Sequence, residues 1–458
     1  MDTAISFGTD GWRATLDTFT APRVRMVGQA VATYLDDEGV PGAVGVCYDA
    51  RESSPGFAEE LARVLCANGR DVYMPERDRP TPLLAWQIVD RDLAGGLMLT
   101  ASHNPPEYNG VKFIPEDGAP APPAVTDAIE ARLAEPDPLP EDEWGTVHEA
   151  DFQTTHAEHA LDLIDGDLDG LPVAYDAIHG SGRGVTDALL ERAGATVDRL
   201  RCGDDPTFGG VSPEPTRENL GELIERVTDG EAGIGFANDG DADRIAVVTP
   251  ERGLLDANLL FAALYDYLLE TDSGPAIRSV STTFLVDRVA AAHGEEAFEV
   301  PVGFKWVAES MVERDALMGG EESGGFSIRG HVPEKDGVLT ALLAATAHDA
   351  EPLDERVDRL LEEHGEIHQS RVSVDCPDEE KAPTLEALSE AIPESVAGER
   401  IEDVNTADGF KLLLEDGSWL LVRPSGTEPK LRVYAEAESE GRVEALLEAG
   451  SELVNEVR

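Results

Sequence analysis

Four polar segments carry residue types that can do chemistry, and each follows or interrupts an apolar stretch. The first is Thr100-Ala101-Ser102-His103-Asn104-Pro105-Pro106. Ser102 stands where an apolar strand emerges, so its hydroxyl is presented, and Lys112 can return across the loop. Adjacent residues of an extended chain point to opposite faces, so Ser102 and His103 are not expected to pair in the manner of a serine protease. The same residues also suit a plain turn in which Ser and Asn satisfy their own backbone. The second segment is Asn238-Asp239-Gly240-Asp241-Ala242-Asp243-Arg244. Carboxylates at alternate positions make an oxygen-rich pocket for Mg²⁺ or Ca²⁺. An EF-hand would need Gly and Glu where Arg244 and Pro250 stand. Three carboxylates plus an outside anionic ligand suit Mg²⁺. Apolar strands bracket the loop, so uncompensated charge there would be costly. Asp165-Gly166-Asp167-Leu168-Asp169-Gly170 matches half a calcium loop, but Pro172 and Asp176 fill its later positions poorly. It reads as a solvated turn between domains.

The third segment runs through Pro301–Trp306, Gly319-Gly320-Glu321-Glu322-Ser323-Gly324-Gly325 and His331–Gly337. Glycines let backbone approach a ligand, and Glu321 and Ser323 can exchange hydrogen bonds with sugar hydroxyls. A mobile acidic turn is the plainer reading. The fourth is Arg423-Pro424-Ser425-Gly426-Thr427-Glu428-Pro429-Lys430. An arginine fork, two hydroxyls and backbone N–H groups suit a phosphate clasp, or form a hairpin loop. One such loop per domain is what a single cleft between four domains would produce.

Elements that position these loops are legible as α/β units. Strands are expected at Ala43–Asp49, Asp71–Met74 and Leu93–Thr100, with a helix capped at Ser54-Pro55 and stopped at Gly69. A helix over Val125–Leu133 precedes the linker-like stretch AEPDPLPEDEWG. Pro172–Ala177, Thr196–Arg201, Gly233–Ala237 and Ile245–Val248 read as strands of a second unit, with a helix over Gly184–Ala193. Ile277–Ser281 and Phe298–Val302 read as strands of a third, with a helix over Leu285–His293 and another from about Lys305 to Glu313. Phe410–Leu414 and Trp419–Val422 flank a hairpin turn, followed by strand Leu431–Glu436 and helix Arg442–Val457. The expected boundaries are 1–150, 151–252, 253–367 and 368–458.

The chain has 458 residues and a formal charge of −56. A charge of that sign excludes sequence-independent nucleic-acid binding and opposes docking on anionic membranes. No apolar run reaches spanning length and the N-terminus lacks a signal peptide, so a cytoplasmic protein is expected. Cys47, Cys66, Cys202 and Cys376 are scattered and read as inert thiols. Only six lysines occur. Acidic excess spread along the chain with scarce lysine points to a salt-in halophile, whose molar salt screens the repulsion.

Together the four loops closely resemble the α-D-phosphohexomutase family of phosphoglucomutases, phosphomannomutases and phosphoglucosamine mutases. The likeness runs from Phe7-Gly8-Thr9-Asp10-Gly11-Trp12-Arg13 to Arg423–Glu436. It implies three similar α/β domains with mixed, largely parallel sheets and a C-terminal TBP-like α+β domain around a central cleft. By that resemblance Ser102 is a phosphoserine, and its phosphate joins Asp239, Asp241 and Asp243 in binding Mg²⁺. Arg244 sits beside the transferring group, Lys112 is the candidate acid/base, and His103 stands with them in the catalytic set. Glu321 and Ser323 match sugar readers. Arg423, Ser425, Gly426 and Thr427 match the clasp on the distal phosphate, while Arg13, Lys305 and Lys335 line the cleft. The implied reaction interconverts hexose 1- and 6-phosphates through a hexose 1,6-bisphosphate, in a monomer or homodimer. The reader loop GGEESGG departs from the GEMSGH of bifunctional enzymes and the GEQSGH of phosphoglucosamine mutases. With VGFKW and PEKDG it looks more like phosphoglucomutase, which favours glucose phosphates.

Overall fold

The computed structural model describes residues 4–8, 11–426 and 428–458. Its architecture is three mixed α/β sheets followed by an antiparallel one. The first sheet orders its strands Trp12–Thr15, Tyr108–Ile114, Gly96–Leu99, Val44–Tyr48, Val72–Met74, Val147–Glu149. The last four strands of that order pair in parallel, and Gly96–Leu99 pairs antiparallel with Tyr108–Ile114. Gly96–Leu99 is buried at every position, which explains its unbroken apolar run. Lys112 therefore lies on a strand opposite Met98, beyond the serine loop across which it was expected to return. The linker-like stretch also differs from expectation. It folds back onto the first unit through Leu139 and Gly145, whose N–H groups donate to Ala67 and Cys66, and leads into the edge strand Val147–Glu149. Helix Ser54–Ala67 starts where expected, but Ser54 does not cap it; its hydroxyl donates to Asp49 at 2.7 Å.

The second sheet orders Gly253–Leu254, Ile245–Thr249, Ile234–Asn238, Pro172–Asp176, Thr196–Leu200. The third orders Ala297–Val300, Ala276–Ser279, Met318–Gly320, Phe326–Ile328. One apolar cluster runs through all three units, from Leu84 through Phe236 to Leu342. Helix Gly337–Ala350 crosses its middle, and because it is apolar all round it is buried on every face through Ala347. The six C-terminal strands are antiparallel throughout and carry helices Asp378–Ala391 and Glu440–Val457. This unit docks on the third through Val280, Trp419, Leu421 and Tyr434. Lys411 crosses that interface to Glu299 at 2.5 Å, with Phe284 and Trp419 rings each 4.3 Å from its ammonium. Burial pushes this lysine down to about 8. Among the described residues no helix is long and apolar enough to cross a membrane.

A chain at −56 repels itself wherever solvent does not screen it. Raising KCl from about 0.1 to about 1 M shortens the Debye length from about 10 to about 3 Å. The melting temperature is expected to climb steeply over that range. A flat melting temperature would contradict the halophilic reading.

Candidate active site

Ser102 is 1 % exposed at the end of strand Gly96–Leu99 and takes a left-handed φ of 51°. That conformation is uncommon for a side chain with a Cβ and requires surroundings that hold it. It also overturns the expectation for His103. The chain is not extended at Ser102, so the His103 ring turns back and Nδ1 lies 3.3 Å from Ser102 Oγ. Burial first, then Arg244 and Arg13, push the His103 imidazole down to about 3, so it is neutral. Ser102 Oγ donates to Asp239 Oδ2 at 2.7 Å. Two loops far apart in sequence thus meet at this hydrogen bond.

Asp239, Asp241 and Asp243 are all buried, with one carboxylate oxygen from each within 4.8 Å of the others. Gly240 permits this approach, since a Cβ there would lie 2.6 Å from the Ser102 carbonyl oxygen. Burial, then the neighbouring Asp241 and Asp243, push the Asp239 carboxyl well above the ordinary carboxylate range. Lys112 Nζ lies 3.1 Å from both Asp241 and Asp243, and Lys335 Nζ is 3.2 Å from Asp243. Arg244 donates its N–H to Asp239 at 3.3 Å and brings its guanidinium within 3.8 Å of Asp243. Oδ1 of Asp241 is buried with no hydrogen-bond partner among the described residues. Such an orphaned oxygen beside two more carboxylates fits a hard divalent cation, which takes oxygen ligands. The Asp165–Asp169 turn is not among the clusters close enough to hold an ion.

Sequence reasoning missed Thr81, whose hydroxyl donates to Asp241 at 2.7 Å and whose N–H donates to the Asp241 carbonyl. No local signal marks it, because its partner lies in another unit. Arg13 faces Gly110 across the first sheet, beside the serine loop. Glu321 is buried and accepts from the Gly303 N–H at 2.9 Å, and burial raises its carboxyl. Glu322 accepts from Ser281 at 2.7 Å and Ser279 at 3.2 Å, while Ser323 is exposed. Lys305 lies on helix Phe304–Arg314, its ammonium 5.7 Å from the Trp306 ring. Gly325 makes room for Lys335, since a Cβ there would lie 2.5 Å from Cδ of that lysine.

Arg423 is the last residue but one of strand Trp419–Pro424, one residue beyond the expected strand, and its Nε donates to Asp408 at 2.8 Å. Ser425 is buried and Gly426 exposed; Thr427 lies outside the described residues. Lys381, absent from the sequence-derived set, donates to the carbonyls of Ser425 and Glu428, both at 2.6 Å, and so fixes this loop from behind. The structure therefore gathers Ser102, His103, Lys112, the three aspartates, Arg244 and Lys335 into one cluster. Arg423, Ser425 and Gly426 are carried separately on the fourth sheet.

Four family descriptions match the chain in order. They are phosphoglucomutase/phosphomannomutase alpha/beta/alpha domain I at residues 4–139, domain II at 152–253, domain III at 256–364 and the C-terminal domain at 372–452. The chain belongs to the phosphoglucomutase/phosphomannomutase family. A Methanopyrus kandleri relative, named a probable phosphoglucosamine mutase, is 34 % identical over 96 % of this chain and 95 % of its own. A Thermococcus kodakarensis relative named phosphopentomutase is 33 % identical over 98 % of each chain. A crystal structure from Thermus thermophilus that bears a phosphomannomutase name superposes with a TM-score of 0.86 at 32 % identity, covering 99 % of this chain and 100 % of the other.

A second buried cluster lies where three units of this mutase fold meet. His156 and His331 bring Nε2 to Asp336 Oδ2 at 2.6 and 3.0 Å, and His159 Nε2 lies 3.1 Å from His331 Nδ1. Trp86 of the first unit stacks on His159, ring centroids 4.0 Å apart. His156, His331 and Asp336 are close enough to ligate an ion. Yet hydrogen bonds within the cluster account for these contacts, the His159 Nε2–H donating to His331 Nδ1 and the Nε2–H groups of His156 and His331 donating to the Asp336 carboxylate. The other oxygen of Asp336 caps helix Gly337–Ala350 by accepting from Val338 and Leu339. Burial pushes His331 down, and burial with its histidine neighbours pushes His159 down to about 4. Burial opposes ionisation of Asp336, but His156 and His331 pull its carboxyl below the usual range. The unfolded chain therefore takes up protons first as pH falls, near the ordinary histidine value of about 6.5. Stability is expected to fall between about pH 6.5 and 4. Unfolding free energies of His159→Gln should show a shallower slope over that window; an unaltered slope would refute the assignment.

Proposed function

We propose that the chain is a phosphohexomutase in which Ser102 carries the transferred phosphoryl group. The observation that carries this reading is the 2.7 Å contact of a buried serine hydroxyl with Asp239, inside a three-carboxylate loop flanked by Lys112 and Lys335. Phospho-Ser102 gives its phosphoryl to the free hydroxyl of a hexose 1- or 6-phosphate. The hexose 1,6-bisphosphate then turns over in the site and returns its other phosphoryl to Ser102. Such transfers rest on positioning and charge neutralisation more than on covalent chemistry by the protein. Asp239, Asp241 and Asp243, with the Ser102 phosphate, would hold Mg²⁺, which when bound neutralises phosphoryl oxygens. Arg244 approaches the same loop and neutralises charge from the protein side. Lys112, seated on a strand and fixed by two aspartates, is assigned the proton of the attacking hydroxyl. His103, held neutral by burial, is assigned to keep the serine oxygen oriented. Glu321, Ser323, Arg13, Lys305 and Lys335 are assigned to the sugar phosphate.

Glucose phosphates are the substrate this reading favours, on the reader loop with Gly325 in place of a histidine. Glucosamine phosphate is the second reading, favoured by the name of the Methanopyrus kandleri relative. Assays in molar KCl with Mg²⁺ and trace bisphosphate, using glucose, mannose and glucosamine 1-phosphates and a pentose 1-phosphate, separate them. Highest kcat/KM with glucose 1-phosphate is expected; highest with glucosamine 1-phosphate would establish the second reading. Turnover of none of the sugar phosphates would overturn the mutase assignment.

The Arg423 loop is assigned to the phosphate that is not reacting. That phosphate occupies one place in both substrate orientations, which suits a fork pinned by Asp408 through Nε. Arg423→Lys is expected to cost about 1.5–3 kcal/mol in kcat/KM, similarly in both reaction directions. A change within about twofold would show that the loop is only a hairpin turn.

A further inference from the structure

A cavity of about 520 Å³ opens between the first and second units, and Tyr48, Asp49, Arg51, Arg77, Asp78 and Arg183 are among the residues that line it. The Arg51 side chain is 1 % exposed, and the Phe208 ring of the second unit lies 5.2 Å from its guanidinium carbon. A guanidinium has five N–H donors in a fixed fork. Here its contacts match that number. Nε donates to Asp49 Oδ2 at 2.9 Å. Nη1 donates to the carbonyls of Pro105 at 2.6 Å and Tyr108 at 3.1 Å. Nη2 donates to the carbonyls of Ser102 at 2.8 Å and Asn104 at 2.7 Å. Four carbonyls of one loop thus converge on one side chain.

Asp49 completes the device. It accepts from Thr100 Oγ1 at 2.9 Å, and the same Thr100 oxygen accepts the Ser102 N–H at 2.8 Å. Ser102 is consequently held at its carbonyl by Arg51 and at its N–H through Thr100 and Asp49. A left-handed serine needs such restraint, because its backbone conformation is disfavoured. Arg51 pairs with Asp49, so its charge is spent within the scaffold, and its donors face carbonyls instead of the reacting oxygen.

We propose that the Asp49–Arg51 pair is the positioning device of the serine loop, setting Ser102 Oγ against Asp239 through each gain and loss of a phosphoryl group. The proposal rests on the mutase reading for its catalytic consequence only. Displacing a reacting atom by about 1 Å can cost about 10²-fold in rate. Arg51→Lys keeps the charge but has three donors, too few for four carbonyls and a carboxylate. Thr100→Val removes only the link from Asp49 to the Ser102 N–H and is the milder variant for folding.

Hydrogen–deuterium exchange of the amides of residues 100–110 reads the positioning without any substrate. At least about tenfold faster exchange there is expected in both folded variants, with the other units unchanged. In parallel, kcat should fall about 10- to 100-fold while KM stays within about twofold, because no sugar contact is touched. Methylguanidinium, which replaces the deleted guanidinium group, should restore part of the lost kcat in Arg51→Ala. Unchanged loop exchange in Arg51→Lys and Thr100→Val would overturn the proposal, as would faster exchange with undiminished kcat. A wild-type protein inert towards every sugar phosphate would count against the mutase reading, while the exchange result would still decide the role of Arg51 in holding the loop.

Discussion

Ser102→Ala is expected to lose mutase turnover by about 10⁴-fold or more, the scale on which removing a catalytic nucleophile acts. The size follows from the absence of a neighbouring substitute. His103 Nδ1 lies 3.3 Å from the serine oxygen, but its ring is half-buried and neutral, and its own phosphorylation would move the group off the Asp239 contact. The substitution itself is mild. Arg51 still holds the carbonyl of residue 102 and Thr100 still accepts its N–H, so the loop keeps its shape and the protein should fold as the parent does. Substrate binding should survive, since the groups assigned to the sugar and distal phosphate are elsewhere. The expected pattern is therefore a collapse in kcat with KM and melting temperature little changed, measured in molar KCl. Retention of more than about a tenth of parental kcat would show that Ser102 does not carry the group.

Asp241→Asn is expected to be nearly as severe, lowering kcat/KM by about 10²–10³-fold, the effect of losing several kcal/mol of charge stabilisation. Asn preserves an acceptor for the Thr81 hydroxyl at 2.7 Å and for Lys112 at 3.1 Å, so the local scaffold persists. What it removes is a negative charge and the second carboxylate oxygen, the one buried without a partner among the described residues. Calorimetric titration with Mg²⁺ should show weaker binding in the variant, independent of any turnover. Exhaustive chelation of the parent should abolish activity, and added Mg²⁺ should restore it. Full activity after chelation, or unchanged Mg²⁺ affinity in Asp241→Asn, would refute the metal assignment.

Much of this site was legible because the chain places its chemistry at the ends of apolar strands. Gly96–Leu99 and Ile234–Asn238 are short, buried runs, and a polar residue just past such a run must face a cleft or be satisfied locally. Helix Leu285–His293 and strand Phe410–Leu414 fall where periodicity and turn residues put them. Helix Gly337–Ala350 escaped because it is buried on all faces and so carries no amphipathic period. The strand that carries Lys112 was not expected, because Tyr108–Ile114 interrupts its apolar residues with Asn109, Gly110 and Lys112 itself. Thr81, Arg51 and Lys381 escaped for another reason. Each acts on a partner distant in sequence, and nothing in the residues around them announces it. His103 was misjudged through one dihedral angle, the left-handed turn at Ser102 that a periodicity argument cannot anticipate.

Transfer of labelled phosphate tests the central claim most directly. The dephosphorylated protein is incubated in molar KCl and Mg²⁺ with a hexose 1,6-bisphosphate carrying isotopic phosphate, then digested and mapped by mass spectrometry. The account predicts one phosphoryl group per chain, on the peptide containing Ser102, and its chase into bisphosphate when unlabelled glucose 1-phosphate is added. Label on another residue, or label released as inorganic phosphate without passing to sugar, would contradict it.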